Sequence, residues 1–166
     1  SKDNKDAAKL GIMRCAQYTG KQQDALSGAE ELLKDPKLSP ELSAEARYIR
    51  AKANIALKQP AKAMTDLQTI SKDTRTVHGA EAKYLVALQW YNAGNYASAE
   101  KEILNFIDQS TPHAYWLARS FILLSDVYVA MDKKLDARQY LLSLQQNYQA
   151  DDDIASMINE RLEKLK

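Results

Sequence analysis

AKYLVALQWYNAGNYASAEKEILNFI, residues 82–107, holds two apolar patterns of helical spacing that meet at Gly94. Ala99 heads the second pattern, with Ile103 and Phe106 four and seven positions later, which is one face of a helix. The same pattern begins at three other alanines: Ala25 with Ala29 and Leu32, Ala63 with Leu67 and Ile70, and Ala137 with Leu141 and Leu144. Successive anchors are 38, 36 and 38 residues apart. A period of this length predicts stacked helical units.

The register extends backwards from each anchor. Seventeen residues earlier stand Ala8, Ala46, Ala82 and Ser120, and twelve earlier Met13, Ala51, Ala87 and Ser125. Nine earlier come Ala16, Asn54, Trp90 and Tyr128, and five earlier Gly20, Lys58, Gly94 and Asp132, where a short turn is expected. Ser39-Pro40 and Thr111-Pro112 each place a capping hydroxyl before a proline suited to the first helical position, so both prolines are expected to open first helices. Pro60 opens a second helix, and Gly20 and Gly94 supply permissive backbone at the turns. The expected helices are 5–19, 22–34, 40–58, 60–72, 78–93, 96–109, 112–131, 135–148 and 152–164. They form four pairs, over 5–34, 40–72, 78–109 and 112–148, and a closing helix, in one all-α domain spanning 1–166.

The closing segment, DDDIASMINERLEKLK at 151–166, sets Ile154, Met157, Ile158, Leu162 and Leu165 on one stripe. Its acidic start and basic end suit the helix dipole, and such a helix would cover the apolar side of the last pair. The triple aspartate lacks the alternating spacing and glycine of a calcium loop.

Residues 82–107 resemble a tetratricopeptide repeat: Ala87 stands at the small position of the first helix, Trp90 at its large position, Gly94 and Tyr96 flank the turn, and Ala99 is the small residue of the second helix. The likeness extends over residues 5–148 with departures. Met13 replaces a small residue, Pro60 stands at the turn aromatic, and Asp132 and Lys134 replace the turn glycine and aromatic of the last unit, where Leu135 predicts a shift of one residue. The resemblance implies a right-handed α-α superhelix that binds a polypeptide in its concave face. STPHAYWLARSFILLSDVY and TRTVHGAEAKYLVALQWY look similar to the long repeats of bacterial envelope proteins, including outer-membrane-assembly lipoproteins and periplasmic cell-division coordinators. That likeness implies a periplasmic or outer-membrane-facing adaptor.

In the superhelix frame the first helices line the concave face, so the inward sites are Leu10, Arg14, Gln17 and Tyr18; Tyr48, Lys52 and Ile55; Tyr84, Leu88 and Tyr91; then Ile122, Asp126 and Val129. Arg14, Tyr18, Tyr48, Lys52, Tyr84, Leu88, Tyr91 and Asp126 are the candidate protein-binding residues. Tyrosine offers apolar area with a polar tip, although tyrosines at this spacing also pack between repeats. Arg14 and Lys52 suit a partner's carboxylates, with plain solvation as the alternative. The Lys and Asn set of the family's chaperone-tail clamp is not found here.

Other chemistries find little support. Hydrophobic residues are 45% of the 166 and charged residues 27%, with a net charge of +1, so neither disorder nor the electrostatic footprint of nucleic-acid binding is expected. Without an apolar run of membrane length or a signal-like core in SKDNKDAAK, the chain reads as soluble, and its polar start fits an interior piece of a longer protein. Cys15, within Leu10, Ile12, Met13 and Ala16, reads as a small buried hydrophobe. His78 and His113 read as exposed helix-end residues, adjacent Glu30 and Glu31 point apart, and no zinc, nucleophile-elbow or phosphate-loop motif occurs. The expectation is a binding protein without metal or cofactor, not an enzyme. The alternative is a spacer or self-associating segment of a longer solenoid, and a small-molecule binder or enzyme is third.

Overall fold

The computed structural model describes residues 1–166, the side chains at positions 2 and 3 excepted. Among these residues it forms nine helices and no strand, and is 77% helical. The helices are α1 (Lys2–Tyr18), α2 (Gln22–Leu33), α3 (Pro40–Ala56), α4 (Pro60–Ile70), α5 (Val77–Asn92), α6 (Tyr96–Asp108), α7 (Ala114–Ala130), α8 (Lys134–Asn147) and α9 (Ile154–Lys164). They gather in two compact units, Ser1–Lys72 with α1–α4 and Asp73–Lys166 with α5–α9.

All four helix pairs turn in the same way. Gly20, Lys58, Gly94 and Asp132 take left-handed backbone, with φ of 74°, 63°, 77° and 60°. The amide after each reaches back five residues, from Lys21 to Ala16, Gln59 to Asn54, Asn95 to Trp90 and Lys133 to Tyr128, at 2.9, 2.8, 2.8 and 2.7 Å. The left-handed residue's own amide reaches back three, to Gln17, Ile55, Tyr91 and Val129, and this double closure satisfies carbonyls that a helix end leaves without partners. The second helix starts two residues past the turn in every pair, at Gln22, Pro60, Tyr96 and Lys134. The one-residue shift expected in the fourth pair is therefore absent: Asp132 adopts the conformation that glycine takes elsewhere, and Leu135 is left 82% exposed.

The anchors Ala25, Ala63, Ala99 and Ala137 are fully buried, and their partners four and seven residues on are buried. Small side chains there let the paired helices approach closely. Met13, large for its position, is accommodated because Gly28 faces it across α2; a Cβ on Gly28 would lie 3.2 Å from Met13 Cβ. Between α3 and α4 the buried Asp66 carboxylate accepts hydrogen bonds from Arg50 Nε (2.7 Å) and Nη2 (2.8 Å) and from Arg47 Nη1 (3.3 Å). Lys83 of α5 ties itself to α6 through Asn105 and Glu102, at 2.7 and 2.8 Å.

Ser39 caps α3 from the residue before Pro40, its hydroxyl accepting the Leu42 amide at 3.2 Å. Thr111-Pro112 behaves differently, because α7 begins at Ala114 with His113 as its cap residue. Thr111 is engaged elsewhere: its hydroxyl donates to the Thr74 carbonyl at 2.7 Å and accepts the His113 amide at 3.2 Å. His113 Nε2 lies 2.8 Å from the Arg75 carbonyl, so this half-buried ring braces the segment before α5 and is not the solvated helix-end residue expected. His78 is also half-buried. The same segment crowds the start of α5, where a Cβ on Gly79 would lie 1.8 Å from the Asp73 carbonyl oxygen.

The outer face of α1 is open. Ala8, Gly11, Ile12 and Cys15 are exposed, Ile12 to 65%, so Cys15 is not the buried hydrophobe its apolar neighbours suggest. By register the same positions in α3 are Ala46, Ile49, Arg50 and Ala53, with the three apolar ones buried. In α7 they are Ser120, Leu123, Leu124 and Val127, all buried. At the other end α9 seats Ile154 and Ile158 among Ala118, Ile122, Leu141 and Leu144. Asp152 starts this helix by accepting the Ile154 amide at 2.9 Å and the Tyr148 hydroxyl at 2.5 Å.

Candidate functional site

Each unit carries its own share of the first-helix residues singled out from the sequence. In the first unit Arg14 makes a two-pronged ion pair with Glu45 of α3, Nε to Oε1 at 2.5 Å and Nη2 to Oε2 at 2.7 Å. The hydrogen bonds that Arg14 donates to Glu45 hold its guanidinium above its ordinary pKa. Tyr18, 93% exposed, extends from the end of α1. Tyr48 and Leu10 pack half-buried against the core, and Lys52 Nζ sits 5.8 Å from the Tyr48 ring centre. Gln17 and Ile55 are half-buried.

In the second unit Tyr84 is only 7% exposed, and Ile122 is buried under α9. Neither offers itself to solvent as the register suggested. The Tyr84 ring stacks obliquely on Trp116 of α7, centres 5.6 Å apart, and its hydroxyl accepts from Arg119 Nη2 at 3.0 Å. Leu88 and Tyr91 are half-buried and Val129 is exposed. Tyr91 packs on Tyr96 at 5.7 Å. Burial, and then the Asp126 carboxylate, push the Tyr91 phenol pKa up.

Asp126 is the best-organised of the predicted residues. It accepts from Arg161 of α9 at Nε (2.8 Å) and Nη2 (3.0 Å), linking the closing helix to α7. Burial pulls the Arg161 pKa down, but the Asp126 hydrogen bonds and charge outweigh it, and the guanidinium ends above its ordinary value. Around this pair lies an open groove of about 580 Å³, walled by Tyr91, Asp126, Val129, Lys134, Met157 and Arg161 among others. Its walls mix aromatic, aliphatic and oppositely charged side chains. Among the described residues no group of three or more His, Cys, Asp or Glu is placed to hold a metal, and no helix is long and apolar enough to cross a membrane.

Arg119 was not singled out from the sequence. It lies half-buried on α7 beneath three rings, its guanidinium carbon 5.0 Å from the centre of Tyr84, 5.8 Å from Tyr115 and 6.0 Å from Trp116. Nη1 donates to Tyr115 Oη at 2.9 Å, and Nε is buried without a hydrogen-bond partner. The available signal was a reversal of charge: eighteen residues before the anchors stand Glu45, Glu81 and then Arg119. In comparisons with known proteins, no family model, no curated protein and no solved structure matches the chain.

Proposed function

We propose that the chain is a polypeptide-binding module of the tetratricopeptide type. Its pairs would stack as a right-handed superhelix, serving as a scaffold or adaptor in a bacterial envelope setting. The observation that carries this reading is the groove beside Asp126 and Arg161. It is open, lined by first-helix residues and by α9, and mixed in the way that suits alternating side chains of a bound segment. Catalysis has no comparable support, since Asp126 and Arg161 there are tied to each other and no nucleophile with a positioned base stands beside them.

The test is retention of an envelope protein by immobilised wild type, compared with Tyr91→Ala/Val129→Asp and with Leu142→Asp on a second helix, all equally helical. Retention by wild type and the Leu142 variant but not by the groove variant is expected. Retention indifferent to the groove would end the site assignment.

A second reading, a spacer or self-associating segment within a longer array, is favoured by α1. Positions buried elsewhere in the repeat are open there, which suits a like helix pair stacked on Ile12 and Cys15. Sedimentation would support it by a concentration-dependent mass near twice 18.7 kDa that Ile12→Asp abolishes. A single mass at all concentrations in both proteins argues against self-association.

A further inference from the structure

Two ion pairs in this chain start from the same first-helix position of the repeat, although their partners do not share a register. Arg14 stands eleven residues before its anchor and pairs with Glu45, eighteen before the next anchor. Asp126 stands eleven before the last anchor and pairs with Arg161 of α9, which follows where a next first helix would come. In the second unit one further rung joins α5 to α7, and its members by register are Leu88 and Arg119. Leucine supplies no carboxylate. Among the described residues none lies within ion-pair distance of Arg119, which instead holds two phenol oxygens and three ring faces. A half-buried guanidinium compensated only by neutral groups is an attractive point for an anion.

We infer that Arg119 and Tyr84 recognise a carboxylate side chain, an aspartate or glutamate, on the polypeptide that the second unit binds. The inference rests on the proposed polypeptide-binding function and names the chemistry of its partner. The Tyr84 hydroxyl already accepts from Arg119, and although the residue is only 7% exposed its own hydrogen has no acceptor among the described residues. Asp126 is taken up by Arg161, and Asp153 reaches Arg119 only through the Tyr115 hydroxyl, which donates to Asp153 Oδ2 at 3.3 Å, so Arg119 has no carboxylate in direct contact. The aromatic faces of Tyr84, Tyr115 and Trp116 suit apolar residues flanking that acid.

The probe is a pair of short peptide pools, N-acetylated and C-amidated, with glutamate or glutamine at the centre and uncharged residues randomised elsewhere. Immobilised wild-type protein should retain the glutamate pool about tenfold more than the glutamine pool, the scale of a hydrogen bond to a charged group. Arg119→Gln should reduce that preference to within about twofold, and Tyr84→Phe should weaken it by losing both the hydroxyl donor and the acceptor that holds Arg119. Leu88→Glu guards against a variant that merely misfolds, because it keeps Arg119 and supplies the missing carboxylate from α5. It should raise the melting temperature and remove the preference together. Equal retention of both pools by wild type, or a preference that survives Leu88→Glu, overturns the carboxylate reading and leaves polypeptide binding standing. Retention of neither pool overturns both.

Discussion

Gly94→Ala tests the backbone geometry on which the repeat turns. Gly94 has φ 77°, and a Cβ there would meet no atom within 4 Å, so the substitution changes conformational preference and nothing else. Holding an L-residue in the left-handed region costs about 1–2 kcal/mol. Alanine offsets about 0.4–1 kcal/mol of this by restricting the unfolded chain. The expected net loss is about 0.5–1 kcal/mol. Lys58 occupies the equivalent position with φ 63°, so Lys58→Gly runs the same exchange backwards and should stabilise by a similar amount. Asparagine tolerates this region better than alanine, so Gly94→Asn should lie between wild type and Gly94→Ala. Urea unfolding followed by helical circular dichroism is the assay. With a slope of about 1–3 kcal/mol/M the midpoints should move by about 0.2–1 M, down for Gly94→Ala and up for Lys58→Gly. An unmoved midpoint for Gly94→Ala, or a lower one for Lys58→Gly, would refute the claim that the turns share one strained position.

Three other outcomes follow from particular contacts. Asp66→Ala leaves Arg47 and Arg50 facing a buried gap and should destabilise the first unit by about 3 kcal/mol in chemical denaturation; a loss below about 1 kcal/mol contradicts the ion-pair account. Burial, then the hydrogen bond to Asp152, push the Tyr148 phenol up to about 12 from 10.0, so its contribution to stability is whole below pH 10.0 and is lost as pH rises through about 12. Thermal melts across that interval should fall less steeply for Tyr148→Phe, and equal slopes would remove Tyr148 as a cause. Exposed Cys15 should react with a thiol reagent in native buffer at a rate within about tenfold of that in urea, whereas a sheltered thiol would wait for unfolding.

The sequence makes the helices legible where local chemistry is self-sufficient. Ser39 before Pro40 caps its helix as read, and the four anchor alanines are buried in one register. It misleads where a residue's partner is distant. Thr111 looks like a cap, but Thr74, 37 residues away, takes its hydroxyl. The fourth turn looked shifted because Leu135 is the nearest apolar residue, whereas Asp132 sets the turn through its backbone. Tyr84 had the right register for an exposed face, yet Trp116 and Arg119 cover it from 32 and 35 positions along the chain. Arg119 itself has no local motif. Its meaning comes from rings on two helices and from a carboxylate that the repeat supplies elsewhere.

Gly79 carries a different lesson, about heredity. Any base change in its codon that replaces glycine by another residue adds a Cβ, and here that atom would lie 1.8 Å from the Asp73 oxygen, backbone against backbone. Purifying selection should therefore hold position 79 constant among descendants of this gene as firmly as it holds a catalytic residue, although Gly79 has no side chain with which to meet a ligand. Arg119, if it reads a partner's acid, should instead drift in step with that partner. Constancy would mark the scaffold in this protein, and correlated change would mark its work.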